Sequence, residues 1–153
     1  MDKAENLWFL DTLVTPLILQ EQGSDRISVL ESRAPHGDSP PLHVHAEDEI
    51  FVVLEGAMQF RVGDRNHRLG SGEALLGPKC VPHTYRVESD QARWLVITGR
   101  GDFERFVRSF SRPAPRPELP PRSGPPTRQQ IEALTDACRR HDIQLVGPPL
   151  HDD

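Results

Sequence analysis

The chain has 153 residues, 36% hydrophobic and 27% charged, with a formal net charge of −5, which fits one ordinary globular domain and excludes collagen, coiled coil and membrane bundle. The acidic balance leaves no broad basic surface to neutralise phosphates, so nucleic acid is not an expected partner. No apolar run is long enough to span a bilayer, Asp11 interrupts the amino-terminal segment before a secretory core forms, and Cys80 and Cys138 make no CxxC pair; the expectation is a cytoplasmic protein, off the membrane, in which any metal is held by histidine and carboxylate.

From residue 7 to 97, short apolar or alternating runs are punctuated by Gly, Pro and Asp, the pattern of an all-β sandwich or barrel. Ile27 and Val29 alternate with polar neighbours, residues 50–54 (IFVVL) form an unbroken apolar run, and Met58, Phe60 and Val62 share one face of the next piece. Turns are expected at Glu55-Gly56, Gly63-Asp64, Gly70-Ser71-Gly72 and Gly77-Pro78, and strands over 74–76, 83–87 and 92–98 complete a set that two sheets would close. Phe103, Phe106, Val107 and Phe110 stand at helical spacing, with Asp102 placed as the cap. Seven of the fifteen residues 112–126 are proline, which marks a linker or a strap. Thr127 and Gln130 form a capping box before an amphipathic helix whose stripe is Ile131, Leu134 and Cys138, ending near His141. Ile143, Leu145 and Val146 then read as a last short strand or hook.

The expected organisation is a barrel with an N-terminal strand and trailing helix over residues 1–110, a Pro-rich linker or strap over 111–127, and a helix and hook over 128–153. That last piece is too small for a core of its own and should dock on the barrel or on a partner. The run 50–54 is apolar on both faces, yet only one face of a barrel strand looks inward. A homodimer is therefore expected, with a partner sheet or the tail covering the outer face.

Histidines two apart on an extended strand point to one side, so His43 and His45 can reach one metal, and Glu49 keeps that parity if the strand continues. His83, behind Gly72 and Pro78 on a later strand, supplies a third imidazole. Three neutral imidazoles and one carboxylate suit one divalent transition ion (Fe, Mn, Ni, Cu or Zn), and a six-coordinate ion so held keeps two positions open for water, oxygen or substrate. An HxH pair alone is a weak signal; the whole spacing G-x5-H-x-H-x3-E-x6-G, from Gly37 through His43, His45 and Glu49 to Gly56, arises by chance in roughly one in ten thousand chains of this composition. His36, His67, His141 and His151 read as solvated or capping, and the run 46–49 (AEDE) as a solvated rim. By parity Met58 and Phe60 are interior wall residues, which gives an apolar cavity for a flat or aliphatic small-molecule ligand, and Tyr85, on the face of His83, lines that pocket or packs in the core.

These two clusters resemble the cupin superfamily. The first motif matches at every defining position. The second, G-x5-P-x-G-x2-H-x3-N in the family, is met by Gly72, Pro78 and His83, while Cys80 stands at the family's glycine and Val87 at its asparagine. The ligand set is whole, but a glycine at such a turn often serves a positive φ, so Cys80 implies a different turn or strain. The resemblance covers roughly residues 24–100, and the helix after the barrel is similar to that of small bacterial cupins of the quercetin 2,3-dioxygenase-like type. The resemblance implies a double-stranded β-helix (cupin or jelly-roll barrel) with short C-terminal helices and a metal ion near its open mouth, held by His43, His45, Glu49 and His83. It also implies a mononuclear metal-dependent dioxygenase acting on a small aromatic or enol-bearing substrate, with Glu49 as ligand or as the base that takes a substrate proton. A barrel and a site do not determine a reaction. A zinc-dependent polyketide-type cyclase or isomerase, and a non-enzymatic cupin that binds a small molecule or ion, stand beside that reading.

Overall fold

In the computed structural model, which describes residues 5–100 and 102–151, period-two alternation builds the central strands. In β3 (Ser28–Pro35) and β10 (Gln91–Thr98) buried and half-buried residues alternate, so Leu30, Ala34, Ala92, Trp94 and Val96 all face inward. Around them lie β1 (Leu7–Phe9), β2 (Thr12–Ile18), β4 (Leu42–Val44), β5 (Glu49–Glu55), β6 (Ala57–Val62), β7 (Arg65–Gly70), β8 (Ala74–Gly77), β9 (His83–Val87), β11 (Arg112–Pro113) and β12 (Gln144–Gly147). They form a seven-stranded sheet in the order β11-β1-β2-β3-β10-β5-β8 and a five-stranded sheet in the order β12-β4-β9-β6-β7. All pairs are antiparallel.

The sheets pack face to face as a jelly-roll sandwich, and the inner faces meet in an aromatic core. Phe51 from one sheet lies 4.8 Å, centroid to centroid, from Phe60 of the other, and Tyr85 lies 5.2 Å from Trp94. Val87, at the family's asparagine, is fully buried opposite Met58 and so serves packing. The sequence pattern gives no sign of β7. Its residues (RNHRLG) are mostly polar because it is the free edge of its sheet, where only Leu69 turns inward.

After the barrel, α1 (Phe103–Ser109) buries Phe106 and Val107. The proline-rich segment is a strap laid along the barrel. β11 pairs with β1, the Trp8 indole N–H donates to the Glu118 carbonyl (2.8 Å), and the Arg122 guanidinium donates to the His36 carbonyl (2.7 Å). Thr127 and Gln130 form the expected capping box of α2 (Arg128–Arg140). Of its stripe, Leu134 and Cys138 face inward, whereas Ile131, one turn nearer the start, is 49% exposed.

The tail does not cover the outer face of β5. β12 joins the five-stranded sheet and α2 closes the interior, so among the described residues neither covers the outer row Ile18, Val29, Ile97, Ile50 and Leu76, in register across five strands, of which Ile18, Ile50 and Leu76 are exposed and Val29 and Ile97 half-buried. Ile50 is 39% and Leu76 51% exposed.

The turn before β9 keeps the backbone that the family's glycine serves: Cys80 has φ of +63°. Its N–H donates to the His45 carbonyl at 2.8 Å, which ties this turn to the ligand segment. A side chain in the left-handed region costs about 1–2 kcal/mol, partly offset by the greater unfolded-state entropy of glycine. Cys80→Gly is therefore expected to raise the free energy of urea unfolding by about 0.5–1 kcal/mol.

Candidate metal centre

Three short segments deliver the polar cluster. β4 carries His43, and His45 follows at the start of the turn that leads out of it; β5 opens with Glu49; β9 opens with His83. His43 and His83 are direct partners across the β4–β9 pair, so their rings emerge on one face with centroids 4.4 Å apart. Glu49 does not share strand parity with the histidines, contrary to the expectation from spacing. The strand ends at Val44, residues 45–48 turn the chain, and Glu49 belongs to the opposite sheet. It reaches the histidines across the interior.

One ligand atom from each of His43, His45, Glu49 and His83 lies within 4.8 Å of the others. Glu49 Oε2 is 2.8 Å from Nε2 of both His45 and His83. Nδ1–H of His43 donates to the Pro41 carbonyl (2.7 Å) and that of His83 to the Val81 carbonyl (3.1 Å), which orients both Nε2 atoms inward. Nδ1 of His45 is buried without a partner. Three converging Nε2 atoms and one carboxylate form a donor set suited to a divalent transition ion.

Electrostatics without an ion are uneven. Burial, and then the His83 charge, lowers the His43 pKa to about 4, so this imidazole is neutral. For Glu49, burial alone would raise the pKa, but hydrogen bonds from His45 and His83 outweigh it and hold the carboxyl below the usual carboxylate range. Burial likewise opposes charge on His83, and the Glu49 hydrogen bond and charge overcome it, so its pKa rises.

The turn 46–48 is a solvated rim only in part: Ala46 and Asp48 are exposed, whereas Glu47 is buried near the start of α1. Asp102 occupies the N-cap position of that helix without a side-chain cap bond, because its carboxylate pairs with Nδ1 of His141 at 2.5 Å. His141 thus links the end of α2 to the start of α1. His36 donates from Nδ1 to the Glu88 carbonyl at 2.9 Å.

A cavity of about 90 Å³ opens beside the cluster, lined by His43, Glu49 and Tyr85 and otherwise mainly by apolar side chains. Tyr85 lies on the cavity wall and also packs against the core rings of Phe60 and Trp94. Met58 and Phe60 are fully buried in the core, Phe60 against Phe51, and are not among the described lining residues. The rest of the wall comes from elements that the sequence motifs do not assign to the site. These are Phe9 and Val14, Phe103 and Phe106 of α1, and Leu134, Cys138, Ile143 and Leu145 of the tail. Only the amphipathic spacing of the two helices points towards them.

The family profile described as "Cupin domain" matches residues 29–98. Quercetin 2,3-dioxygenase of Bacillus subtilis is 31% identical over 86 residues, 56% of this chain and 26% of that protein. Dimethylsulfoniopropionate lyase DddQ of Ruegeria pomeroyi is 30% identical over 100 residues, 63% of this chain and 49% of that protein. The matches therefore span about a quarter and about half of these curated relatives. Among solved structures, an RmlC-like cupin from Shewanella frigidimarina superposes with a TM-score of 0.59 at 14% identity, over 67% of this chain and 88% of that one. The polyketide cyclase RemF of Streptomyces resistomycificus superposes with a TM-score of 0.54 at 24% identity, over 86% and 82%.

The protonation pattern makes ion uptake pH-dependent. The raised pKa of His83 favours a proton on a nitrogen that an ion would need, whereas His43 is already neutral above about pH 4. Binding of an ion should therefore release protons, and affinity should rise with pH until the raised His83 pKa is passed. Calorimetry of Zn²⁺ binding in buffers of different ionisation enthalpy measures that release.

Proposed function

We propose that this chain, which belongs to the cupin superfamily, binds one divalent transition ion through His43, His45, Glu49 and His83 and acts as a mononuclear metal-dependent dioxygenase on a small aromatic or enol-bearing molecule. The observation that carries this reading is the meeting of four ligand residues, three of them buried and His43 half-buried, with an apolar cavity beside them. A divalent ion there supplies Lewis acidity, which lowers the pKa of a hydroxyl or enol bound to it. The protein supplies the remainder. Glu49, anionic and buried, is a ligand or, when it swings off the ion, the acceptor for the substrate proton. Tyr85, kept protonated by burial and by the negative charges of Asp38 and Glu49, is a hydroxyl donor towards a substrate oxygen. The Phe103 and Phe106 rings and the tail residues Leu134 and Leu145 exclude water from the reacting face. A volume of about 90 Å³ favours small ring or enol compounds over large polycyclic ones unless the wall moves.

Oxygen uptake by the ion-loaded protein with catechols, flavonols and small enols tests the reaction class. Turnover without oxygen uptake would favour a zinc-dependent cyclase or isomerase. Saturable binding without turnover would favour a binding protein. Glu49→Gln separates the roles of the carboxylate, because the amide keeps its size but loses its proton affinity. As a base, Glu49 should be worth about 10² to 10⁴ in kcat with the ion retained; a loss below about tenfold excludes that role. Loss of ion content together with activity would make it chiefly a ligand.

The outer face of the seven-stranded sheet supports a homodimer. Five aliphatic side chains stand in register across strands spaced about 4.8 Å, a row roughly 19 Å wide, and Ile27 and Leu17 extend the exposed apolar surface. A second copy offers the same row about a two-fold axis. Leu76→Glu is expected to convert a dimer into a monomer with unchanged ion content, read by sedimentation. A monomeric wild-type chain at tens of micromolar would exclude the dimer.

A further inference from the structure

β4, which carries His43, is held weakly by the barrel itself. Its three residues have a single pair with β9, His43 opposite His83. The other edge is held by β12, with Gln144 opposite Val44, Leu145 opposite His43 and Gly147 opposite Leu42. Two further bonds clamp the approach: the Leu42 N–H donates to the Pro148 carbonyl (3.3 Å), and the Leu150 N–H donates to the Ser39 hydroxyl (2.9 Å). β12 is in turn tied down through α2 by the His141–Asp102 pair. Without it, a ligand strand of three residues would keep one strand pair and the flanking bonds from the Thr84 hydroxyl to the Pro40 carbonyl (2.7 Å) and from the Cys80 N–H to the His45 carbonyl (2.8 Å), and the Pro41 carbonyl that orients the His43 ring would stand at that edge. Gly147 makes the present fit possible. A Cβ there would lie 3.1 Å from Cδ2 and 3.3 Å from Cβ of Leu42, so a larger side chain would press on Leu42 across the β4–β12 pair.

From this juxtaposition we infer that β12 is a positioning element of the metal centre, which seats His43 for coordination from the far end of the chain. The inference rests on the metal-binding reading above. It makes the C-terminal segment part of the site, in addition to forming the cavity wall.

Co²⁺ titration of the full-length metal-free chain, followed by visible absorption, tests it without any substrate. Gly147→Val is expected to weaken Co²⁺ binding about 10- to 100-fold, the range for losing an outer contact that orients a ligand, and to change the absorption band. Gly147→Ala should give a smaller loss in the same direction and serves if the valine variant does not fold by circular dichroism. Leu42→Ala placed with Gly147→Val makes room again and should restore most of the affinity, which a general loss of stability would not allow. Asn66→Ser, at an exposed position of β7 on the far edge of the same sheet, should leave binding unchanged. Wild-type affinity in both Gly147 variants, or no recovery with Leu42→Ala, overturns the role of β12 alone. A wild-type chain that takes up no cobalt overturns the metal reading, and this inference with it.

Discussion

A carboxylate stripped of water costs several kcal/mol unless paired charges and hydrogen bonds replace its solvation, and Glu49, only 3% exposed, is such a group. Its compensation comes from the other sheet: Nε2 of His83, on β9, and Nε2 of His45, just past β4, both approach Oε2 at 2.8 Å. The two sheets are thus joined at this end by a polar contact, whereas further in they meet through Phe51, Phe60, Tyr85 and Trp94. The geometry of the cluster follows from that constraint. Any displacement of one sheet across the other would leave a buried anion without its partners.

The surroundings of the cluster have a complementary character. Among the described residues the cavity lining contains no Lys or Arg, and its polar side chains besides His43, Glu49 and Tyr85 are Thr12 and Ser32. Charge is therefore confined to one end of an apolar slot. Such a slot favours a ligand with one oxygen donor at that end and an uncharged body, since a second charge deeper in the slot would find nothing to pair with. Residues far apart in the chain share this wall, from Phe9 near the start to Leu145 near the end. The strap over residues 111–127 carries the chain between them along the outside of the barrel.

Much of this architecture is legible in the amino-acid sequence, and the legible parts have a common basis. The alternation at residues 28–34 and 92–98, the turn at Gly63-Asp64, the capping box at Thr127 and the motif histidines are all local patterns, read against a period of two or 3.6 residues. The expectations that fail depend on what lies opposite. Asp102 stands at a cap position, but His141, 39 residues later, takes its carboxylate. Ile131 completes a helical stripe, yet only Leu134 and Cys138 find the cavity. β7 has too few inward side chains to show a period.

The sequence by itself determined that the chain is a two-sheet barrel, that His43, His45, Glu49 and His83 are its distinctive polar residues, and that a helix and a hook follow a proline-rich stretch. Side-chain period and turn chemistry are encoded within a few residues, so one chain suffices to read them. Tertiary structure alone decided that Glu49 faces the histidines from the opposite sheet, that Cys80 adopts the left-handed backbone of a glycine, that the outer row through Ile50 stays uncovered by the tail, and that β12 pairs with the strand of His43. Those outcomes depend on which strands become neighbours, and strand neighbours are chosen by burial and register across the whole fold, which no local pattern records.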